Sequence, residues 1–245
     1  FEAVKLLHEA GIPDHVLQYL PGDGATVGAA LTADARVAGV AFTGSTDTAR
    51  AINRTMAGRD AAIGVLIAET GGQNALIADS SSLPEQLVKD AIGSAFTSAG
   101  QRCSAARVPF VQEDIADKVM TMLAGAMAEL KVGNPALLST DVGPVIDADA
   151  LQILNDHAKR MDTEARLIAA APIDATSTAN GSFFAPRAYE LRSLDQLQRE
   201  VFGPILHLIR FKGSELQGVI DQINATGYGL TLGLHSRVDS TIAQI

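Results

Sequence analysis

The chain alternates short apolar runs with amphipathic segments, and this pattern restricts its fold more than any other feature. The runs RVAGVAF (36–42) and IGVLIA (63–68) have the composition of buried strands, and the segment between them, about 47–56, has helical spacing. Parallel strands need a crossover connection, which is usually a helix. The sequence therefore predicts an α/β protein with a mostly parallel, doubly wound sheet.

The same alternation begins again after Gly71-Gly72, where we place a domain boundary between residues 1–70 and 71–245. Further strands are predicted at 74–78, 108–111, 183–191, 205–211 and 230–235. Further helices are predicted at about 1–10, 25–33, 82–98, 114–130, 147–161 and 214–225. Each part thus has its own strands and helices, as two separate domains would.

Charge and composition exclude several classes of protein. The net charge is −9, and no basic run offers a surface for nucleic acid or anionic lipid. No apolar stretch reaches the roughly 18 residues that a membrane span needs, and the amphipathic first residues are unlike a signal peptide. We therefore expect a cytoplasmic protein that binds neither nucleic acid nor membrane.

The metal-ligating residues are too few and too scattered for a metal centre. A single cysteine, Cys103, excludes an internal disulfide and most zinc sites. The five histidines, at 8, 15, 157, 207 and 235, have no ligand spacing such as H-E-x-x-H. We expect an enzyme or binding protein without a bound metal.

Both ends of the chain resemble cut points within a longer protein. Phe1 leads directly into a helical pattern without a capping residue, and the last residues, VDSTIAQI, resemble a helix that ends early. We therefore expect the chain to be a segment of a larger protein, from which parts of a functional site are missing.

A lone cysteine is most often a small buried hydrophobic residue, but Cys103 has a different local context. It follows a predicted long helix and the polar tripeptide Gly100-Gln101-Arg102, and Ser104 comes next. Such a loop exposes a side chain, and a neighbouring arginine favours the thiolate, the reactive form of cysteine. The residues alone leave a structural cysteine and a nucleophile as equal alternatives.

Glu69 ends an apolar run and precedes Thr70-Gly71-Gly72. A carboxylate in this position can simply face water or cap a helix. Parallel sheets, however, place their sites beyond the carboxyl ends of their strands, and paired glycines let the backbone approach a ligand closely. A structural carboxylate and a general base are therefore both open readings of Glu69.

The turn Gly44-Ser45-Thr46 lies between a predicted strand and a predicted helix. An N-cap by Ser45 or Thr46 is the ordinary explanation of such a turn. A helix start also offers free backbone N–H groups and a positive dipole end, which bind phosphate. This motif by itself does not decide between the two.

The segment Glu200–Pro204 precedes the apolar run ILHLIRF. A surface turn is the simplest interpretation. The carboxylate of Glu200 and the ring of Phe202 could instead bind a sugar hydroxyl and pack against a flat cofactor ring.

Together these four segments resemble the aldehyde dehydrogenase superfamily. Its motifs E-x-G-G, G-Q-x-C, E-x-F-G-P and G-S-T match Glu69–Gly72, Gly100–Cys103, Glu200–Pro204 and Gly44–Thr46. The separations, 103 − 69 = 34 and 200 − 103 = 97, are also close to those of the family. Four motifs in order with these gaps are specific, and they cover nearly the whole chain but only the middle of the family's length.

A narrower resemblance is to the glutamate-semialdehyde (pyrroline-5-carboxylate) dehydrogenases, above all to the dehydrogenase domain of the bifunctional proline-utilization enzymes of bacteria. The runs IAETGG, SAFTSAGQRCSAARV, GNPALLSTDVGPVID and INATGYGLTLGLHSR carry it. Thr70 and Ser104 fit this branch. Ala49 replaces the last glycine of the common G-S-T-x-x-G pattern, which weakens the expected fit of the helix to phosphates.

The resemblance implies NAD-dependent oxidation of L-glutamate γ-semialdehyde to L-glutamate. Cys103 would attack the aldehyde carbon, hydride would pass to NAD, and Glu69 would activate the water that hydrolyses the resulting thioester. The fold would be aldehyde-dehydrogenase-like, with 1–70 as the C-terminal part of a Rossmann-type NAD-binding domain. Residues 71–245 would be a catalytic domain truncated at its C-terminal end.

The resemblance also assigns the binding residues. Gly44 and Ser45 would contact the pyrophosphate of NAD, and Gly71 would lie under the nicotinamide. Glu200 and Phe202 would contact the nicotinamide ribose and the ring, and Ser104 the amino-acid end of the substrate.

The family's remaining parts fall outside this segment, so we expect little activity and weak NAD affinity from it alone. The full-length enzyme would include a proline dehydrogenase domain and form a homo-oligomer. Two alternatives remain: an aldehyde dehydrogenase for another aldehyde or for acyl transfer to coenzyme A, and a non-catalytic binding or structural protein. Glu69 favours hydrolysis over acyl transfer, and the retained cysteine and cofactor motifs argue against a non-catalytic protein.

Overall fold

The computed structural model describes all residues, 1–245, and the chain divides into two compact units, Phe1–Thr70 and Gly71–Ile245. No helix is long and apolar enough to cross a membrane.

The first unit is a βαβ unit preceded by helical segments. Its elements are α1 (Glu2–Glu9), a π turn (Gly24–Gly28) that continues into α2 (Ala29–Ala33), β1 (Gly39–Thr43), α3 (Thr46–Ala57) and β2 (Val65–Glu69). β1 and β2 pair in parallel, with Gly39 opposite Val65 and Thr43 opposite Glu69. The helical crossover α3 makes this parallel pairing possible.

The prediction that the strands of this unit are buried is wrong. Val65 and Ile67 of β2 are 63% and 58% exposed, and β1 is only half-buried or exposed along its length. The sheet has two strands, and the exposure of these side chains means that no helix of the unit covers them. The apolar composition of the strands therefore identified their type but not their burial within this chain.

The second unit is a six-stranded sheet with helices. Its strands are β3 (Ala75–Ala78), β4 (Val108–Gln112), β5 (Arg166–Ala170), β6 (Arg187–Leu191), β7 (Ile205–Phe211) and β8 (Leu232–His235). Its helices are α4 (Pro84–Phe96), α5 (Glu113–Ala128), α6 (Ala148–Glu164), α7 (Leu216–Ala225) and α8 (Asp239–Gln244). The strand order is β5-β6-β7-β4-β3-β8, and every pairing is parallel except that of β5 with β6. The predicted α/β fold with a mostly parallel sheet is confirmed.

The edge strand β5 was not predicted, and the strand predicted at 183–191 begins only at Arg187. β5 is short, follows α6 almost directly and is mostly exposed or half-buried. Its strand conformation depends on antiparallel pairing with β6, which begins at Arg187 after an irregular connection. A local pattern gives no signal for such a partner.

The core of the second unit is built around β4 and β7, the two central strands. Val108, Phe110 and Ile205 are fully buried, as continuous apolar runs in parallel strands usually are. Apolar faces of α4 and α5 pack on this sheet through residues such as Leu87 and Leu123.

The parallel pairing of β3, β4 and β7 brings three chain segments to one edge of the sheet. Residues 71–74 precede β3, residues 100–107 precede β4, and residues 200–204 precede β7. All three therefore lie at the end of the sheet where these parallel strands begin, which we call its amino edge. They contain most of the candidate site residues.

Candidate active site

The loop that carries Cys103 begins with a left-handed turn. After α4, Ser98, Ala99 and Gly100 have φ angles of 56°, 53° and 67°. A non-glycine residue in this region costs roughly 1–2 kcal/mol, so contacts elsewhere must stabilise the turn. Cys103 follows on this loop as an exposed free thiol, which confirms the loop context expected from the sequence.

Arg107 stabilises this loop through hydrogen bonds from its buried side chain. Its side chain is only 3% exposed and donates to the carbonyl oxygens of Gly100 (2.7 Å) and Arg102 (3.0 Å). It also donates to the carbonyl of Gly203 (3.1 Å) and to Oε1 of Glu200 (3.2 Å). One buried guanidinium therefore connects the cysteine loop with the segment before β7.

Asn74, directly before β3, also contacts the loop. Its buried side-chain amide donates to the carbonyl oxygens of Cys103 (2.6 Å) and Ala105 (2.9 Å). Gln101 fixes the other end, because its Oε1 accepts from the backbone N–H of Ile146 at 2.7 Å. The backbone around the thiol is thus positioned by polar side chains on both sides.

Glu200 lies between Arg107 and the glycine pair that precedes β3. A Cβ atom at Gly71 would overlap Oε2 of Glu200, so only glycine leaves room for the carboxylate there. Burial raises the pKa of Glu200 above its usual value, and the charge of Arg107 opposes this shift. Burial lowers the pKa of Arg107, and the charge of Glu200 opposes that change.

Phe202 and Ser104 are the more accessible members of this edge. The Phe202 ring is 45% exposed, and the guanidinium carbon of Arg107 lies 5.2 Å from its centroid, a cation–π distance. Ser104 is exposed next to Cys103. The second unit therefore brings Gly71, Cys103, Ser104, Glu200 and Phe202 to the same sheet edge.

The first unit brings its own predicted residues together at the carboxyl ends of β1 and β2. Glu69 is the last residue of β2 and is exposed. The backbone N–H of Gly44 donates to the carbonyl oxygen of Glu69 at 3.1 Å. That N–H is therefore not among the free backbone N–H groups that a phosphate could use at this turn.

Ser45 is the N-cap of α3, as one of the two readings of this turn expected. Its hydroxyl accepts from the backbone N–H of Thr48 at 3.1 Å. A side chain at Gly44 would overlap the ring of Phe42, so packing also favours glycine at this position.

Arg107 and Asn74 are the two residues of this region that the sequence interpretation did not single out. Their positions in the sequence are only a weak indication of this role. Arg107 is a charge directly before the fully buried strand β4, and Asn74 is a polar residue directly before β3. Their acceptors, at 100–105 and 200–203, become neighbours only when the sheet forms.

Comparisons with known proteins show the family of the chain. The model of the aldehyde dehydrogenase family matches residues 1–245, and the chain belongs to this family. The chain is 52% identical over 251 aligned positions to the bifunctional protein PutA of Klebsiella aerogenes, covering 100% of the chain and 19% of that protein. It is 33% identical over 244 positions to the 1-pyrroline-5-carboxylate dehydrogenase of Geobacillus kaustophilus, covering 97% of the chain and 46% of that protein.

Solved structures give the same result. A crystal structure of a bifunctional proline utilization A protein superposes with a TM-score of 0.95 at 56% identity, over 99% of this chain and 24% of that one. A betaine aldehyde dehydrogenase of Staphylococcus aureus, in complex with NAD⁺, superposes with a TM-score of 0.92 at 26% identity, over 99% of this chain and 49% of that one. The chain thus spans about a fifth of the PutA protein of K. aerogenes.

Proposed function

We propose that the chain forms the cysteine-containing part of an NAD-dependent L-glutamate γ-semialdehyde dehydrogenase. The observation that carries the proposal is the exposed thiol of Cys103 on a loop fixed by Arg107, which also binds Glu200 beside Gly71. The branch assignment is supported by whole-chain similarity to proteins named PutA and 1-pyrroline-5-carboxylate dehydrogenase.

Cys103 is the proposed nucleophile. Its thiolate forms a C–S bond with the aldehyde carbon, and the carbonyl oxygen becomes the oxyanion of a thiohemiacetal. The backbone N–H of Cys103 has no partner within the protein and can donate to that oxygen. One such donor contributes about 3 kcal/mol to lowering the barrier.

The residues at the sheet edge fit a nicotinamide nucleotide. Arg107 binds only Oε1 of Glu200, and Oε2 lies against Gly71. Oε2 is the proposed acceptor for a ribose hydroxyl. The exposed ring of Phe202 offers an apolar face to a flat ring. Gly44 and Ser45 are the proposed pyrophosphate contacts. Bound NAD would supply the acceptor for the hydride that leaves the thiohemiacetal carbon.

Glu69 is the proposed general base. Loss of hydride from the thiohemiacetal leaves a thioester on Cys103, and a water molecule that gives its proton to Glu69 attacks this carbon. The C–S bond then breaks, which releases the carboxylate product and restores the thiol. Ser104, exposed beside the nucleophile, is the proposed contact for the amino-acid end of the substrate.

The two units take the roles expected from the sequence in this proposal. Residues 1–70 contribute the C-terminal part of the NAD-binding domain, which the βαβ unit of β1, α3 and β2 supports. Residues 71–245 contribute the catalytic domain. A proline dehydrogenase domain that supplies the semialdehyde and a homo-oligomeric assembly belong to the same proposal for the full-length protein.

The decisive experiment measures NADH formation by the full-length protein with glutamate semialdehyde, succinate semialdehyde and acetaldehyde. We expect the highest kcat/KM with glutamate semialdehyde and no activity from Cys103→Ala. Preference for another aldehyde would refute the branch assignment but keep the chemistry. Activity that survives Cys103→Ala would remove this thiol from the mechanism, and no activity with any aldehyde would favour a non-catalytic protein.

A further inference from the structure

We propose that Arg107 is a positioning residue that couples the carboxylate of Glu200 to the loop that carries Cys103. The inference rests on the proposed function, because it treats Glu200 as a contact of the bound nucleotide. It adds a link between nucleotide binding and the position of the nucleophile.

The hydrogen bonds of Arg107 are divided between two separate chain segments. Nη1 donates to the carbonyl oxygens of Gly100 and Gly203, and Nη2 donates to the carbonyl oxygen of Arg102 and to Oε1 of Glu200. The four terminal N–H groups thus have four acceptors, two before β4 and two before β7. The guanidinium cannot move without breaking bonds to both segments.

Burial makes this link hard to replace by water. The side chains of Arg107 and Glu200 are 3% and 15% exposed, and the Phe202 ring lies against the guanidinium. Breaking a buried ion pair leaves an uncompensated charge, so the two groups stay together. The orientation of the carboxylate therefore depends on the same guanidinium that fixes the left-handed turn at Gly100.

The two carboxylate oxygens of Glu200 have different neighbours. Oε1 is bound to Arg107, whereas Oε2 lies beside Gly71 and is the oxygen proposed to accept from a ligand hydroxyl. A ligand that binds Oε2 stabilises the orientation in which Oε1 meets Arg107, and so also stabilises the loop. Lysine cannot reproduce this arrangement, because its single ammonium lacks the planar fork that meets four acceptors at once.

The first test compares Arg107→Lys, Glu200→Gln and the double variant in the full-length protein. NADH affinity is followed by nicotinamide fluorescence, and the position of the thiol by the rate of Cys103 alkylation with iodoacetamide without nucleotide. We expect Arg107→Lys to raise the Kd for NADH and to change the alkylation rate, each by about tenfold, the size of one lost charge-assisted hydrogen bond. Glu200→Gln should raise the Kd similarly but leave the alkylation rate within about twofold.

The double variant reports the coupling itself. If Arg107 acts on the nucleotide through Glu200, the double variant should bind NADH no more weakly than the weaker single variant. Arg210→Lys is the matched control, since Arg210 is a partly buried, ion-paired arginine at the far end of β7, bound to Asp117 and Glu190. It should change neither the Kd nor the alkylation rate.

A second measurement needs no change at Arg107, in case its variant fails to fold. Hydrogen exchange of residues 98–107 is measured with and without saturating NADH in the wild-type protein and in Glu200→Gln. We expect NADH to slow exchange of this segment in the wild-type protein and to have at most half that effect in Glu200→Gln.

The outcomes separate this inference from the proposed function. Equal protection in both proteins, additive effects in the double variant, or an Arg107→Lys protein that loses only thermal stability would each overturn the coupling while NADH still binds. A wild-type protein that does not bind NADH would overturn both proposals.

Discussion

Arg107 and Glu200 form an ion pair across 93 residues of the chain, with 3.2 Å between Nη2 and Oε1. Both side chains are largely buried, and each opposes the effect of burial on the pKa of the other. The pair therefore connects two parts of the candidate site that are remote in sequence, and its loss should be costly.

The first prediction concerns the stability that this pair provides. Glu200→Ala leaves the guanidinium of Arg107 buried without a counter-charge, which costs about 3–5 kcal/mol of unfolding free energy in comparable cases. Urea titration of the variant and the wild-type protein measures this difference. Glu85→Ala removes an exposed partner of Lys118 in the first turn of α4 and should cost less than about 1 kcal/mol. Equal effects of the two substitutions would contradict the prediction.

The second prediction concerns the space beside Gly71. Gly71→Ala places a methyl group where Oε2 of Glu200 lies, so the carboxylate must move away from its position against Arg107. We expect the Kd for NADH to rise at least about tenfold, the equivalent of about 1.4 kcal/mol. Gly93→Ala, in the middle of α4 with open space around the added carbon, is the matched control and should leave the Kd unchanged. An unaltered Kd in Gly71→Ala would mean that Glu200 does not bind the nucleotide.

The third prediction concerns Asn74 as the second support of the cysteine loop. Asn74→Ala removes the donor to the carbonyl oxygens of Cys103 and Ala105, and leaves the latter buried without this partner. We expect a loss of about 1–3 kcal/mol of unfolding free energy and faster alkylation of Cys103, because the loop becomes more mobile. Gln152→Ala removes an exposed hydrogen bond to Asp156 and serves as the control. Slower or unchanged alkylation in Asn74→Ala would show that the amide does not restrain the thiol.

The fourth prediction is a pH dependence from His157 and His207. Their Nε2 atoms lie 2.8 Å apart, with His207 buried on β7 and His157 on α6. Burial lowers the pKa of His157 to about 4, helped by the charge of Arg160, and burial lowers the pKa of His207 to about 3, helped by His157. The unfolded chain therefore binds more protons than the folded one below pH 6.5, so stability should fall as the pH drops from 6.5 towards 4.

His157→Gln tests this sign directly, because an amide keeps a hydrogen-bonding group near His207 but does not titrate. The variant should lose less unfolding free energy than the wild-type protein between pH 7 and pH 4.5, by about 1 kcal/mol after allowance for partial solvent exposure. His15→Gln, at an exposed position of the first unit, should behave like the wild-type protein. A larger acid loss in His157→Gln would reverse the assigned direction.

The sequence predicted the type and order of nearly all elements because their patterns are local. Helical spacing identified α3 to α7, and apolar runs identified β4 and β7. The edge strand β5 was not predicted although Leu167–Ala171 is an apolar run, because the run is short and its antiparallel pairing with β6 is not a local feature. The burial of β1 and β2 was wrongly predicted for a related reason: composition does not reveal how many strands a sheet contains.

Within the candidate site, sequence motifs identified the proposed reacting and ligand-binding residues, but not Arg107 and Asn74, which position them. Cys103 and Glu200 lie within the motifs G-Q-x-C and E-x-F-G-P. Arg107 and Asn74 act through carbonyl oxygens, which every residue carries, so their acceptors leave no trace in the sequence. Only the fold brings these donors and acceptors together.

The placement of 71–74, 100–107 and 200–204 at the amino edge of the sheet has a consequence for how this protein can vary. The spacing of these segments is set by the register of β3, β4 and β7, so a one-residue deletion inside any of the strands would shift its segment by about 3.3 Å and reverse its faces. The connections at the opposite edge, such as the turn from β7 into α7, do not contribute to the candidate site. Insertions and fusions should therefore be tolerated at that edge, where chain length can evolve independently of chemistry.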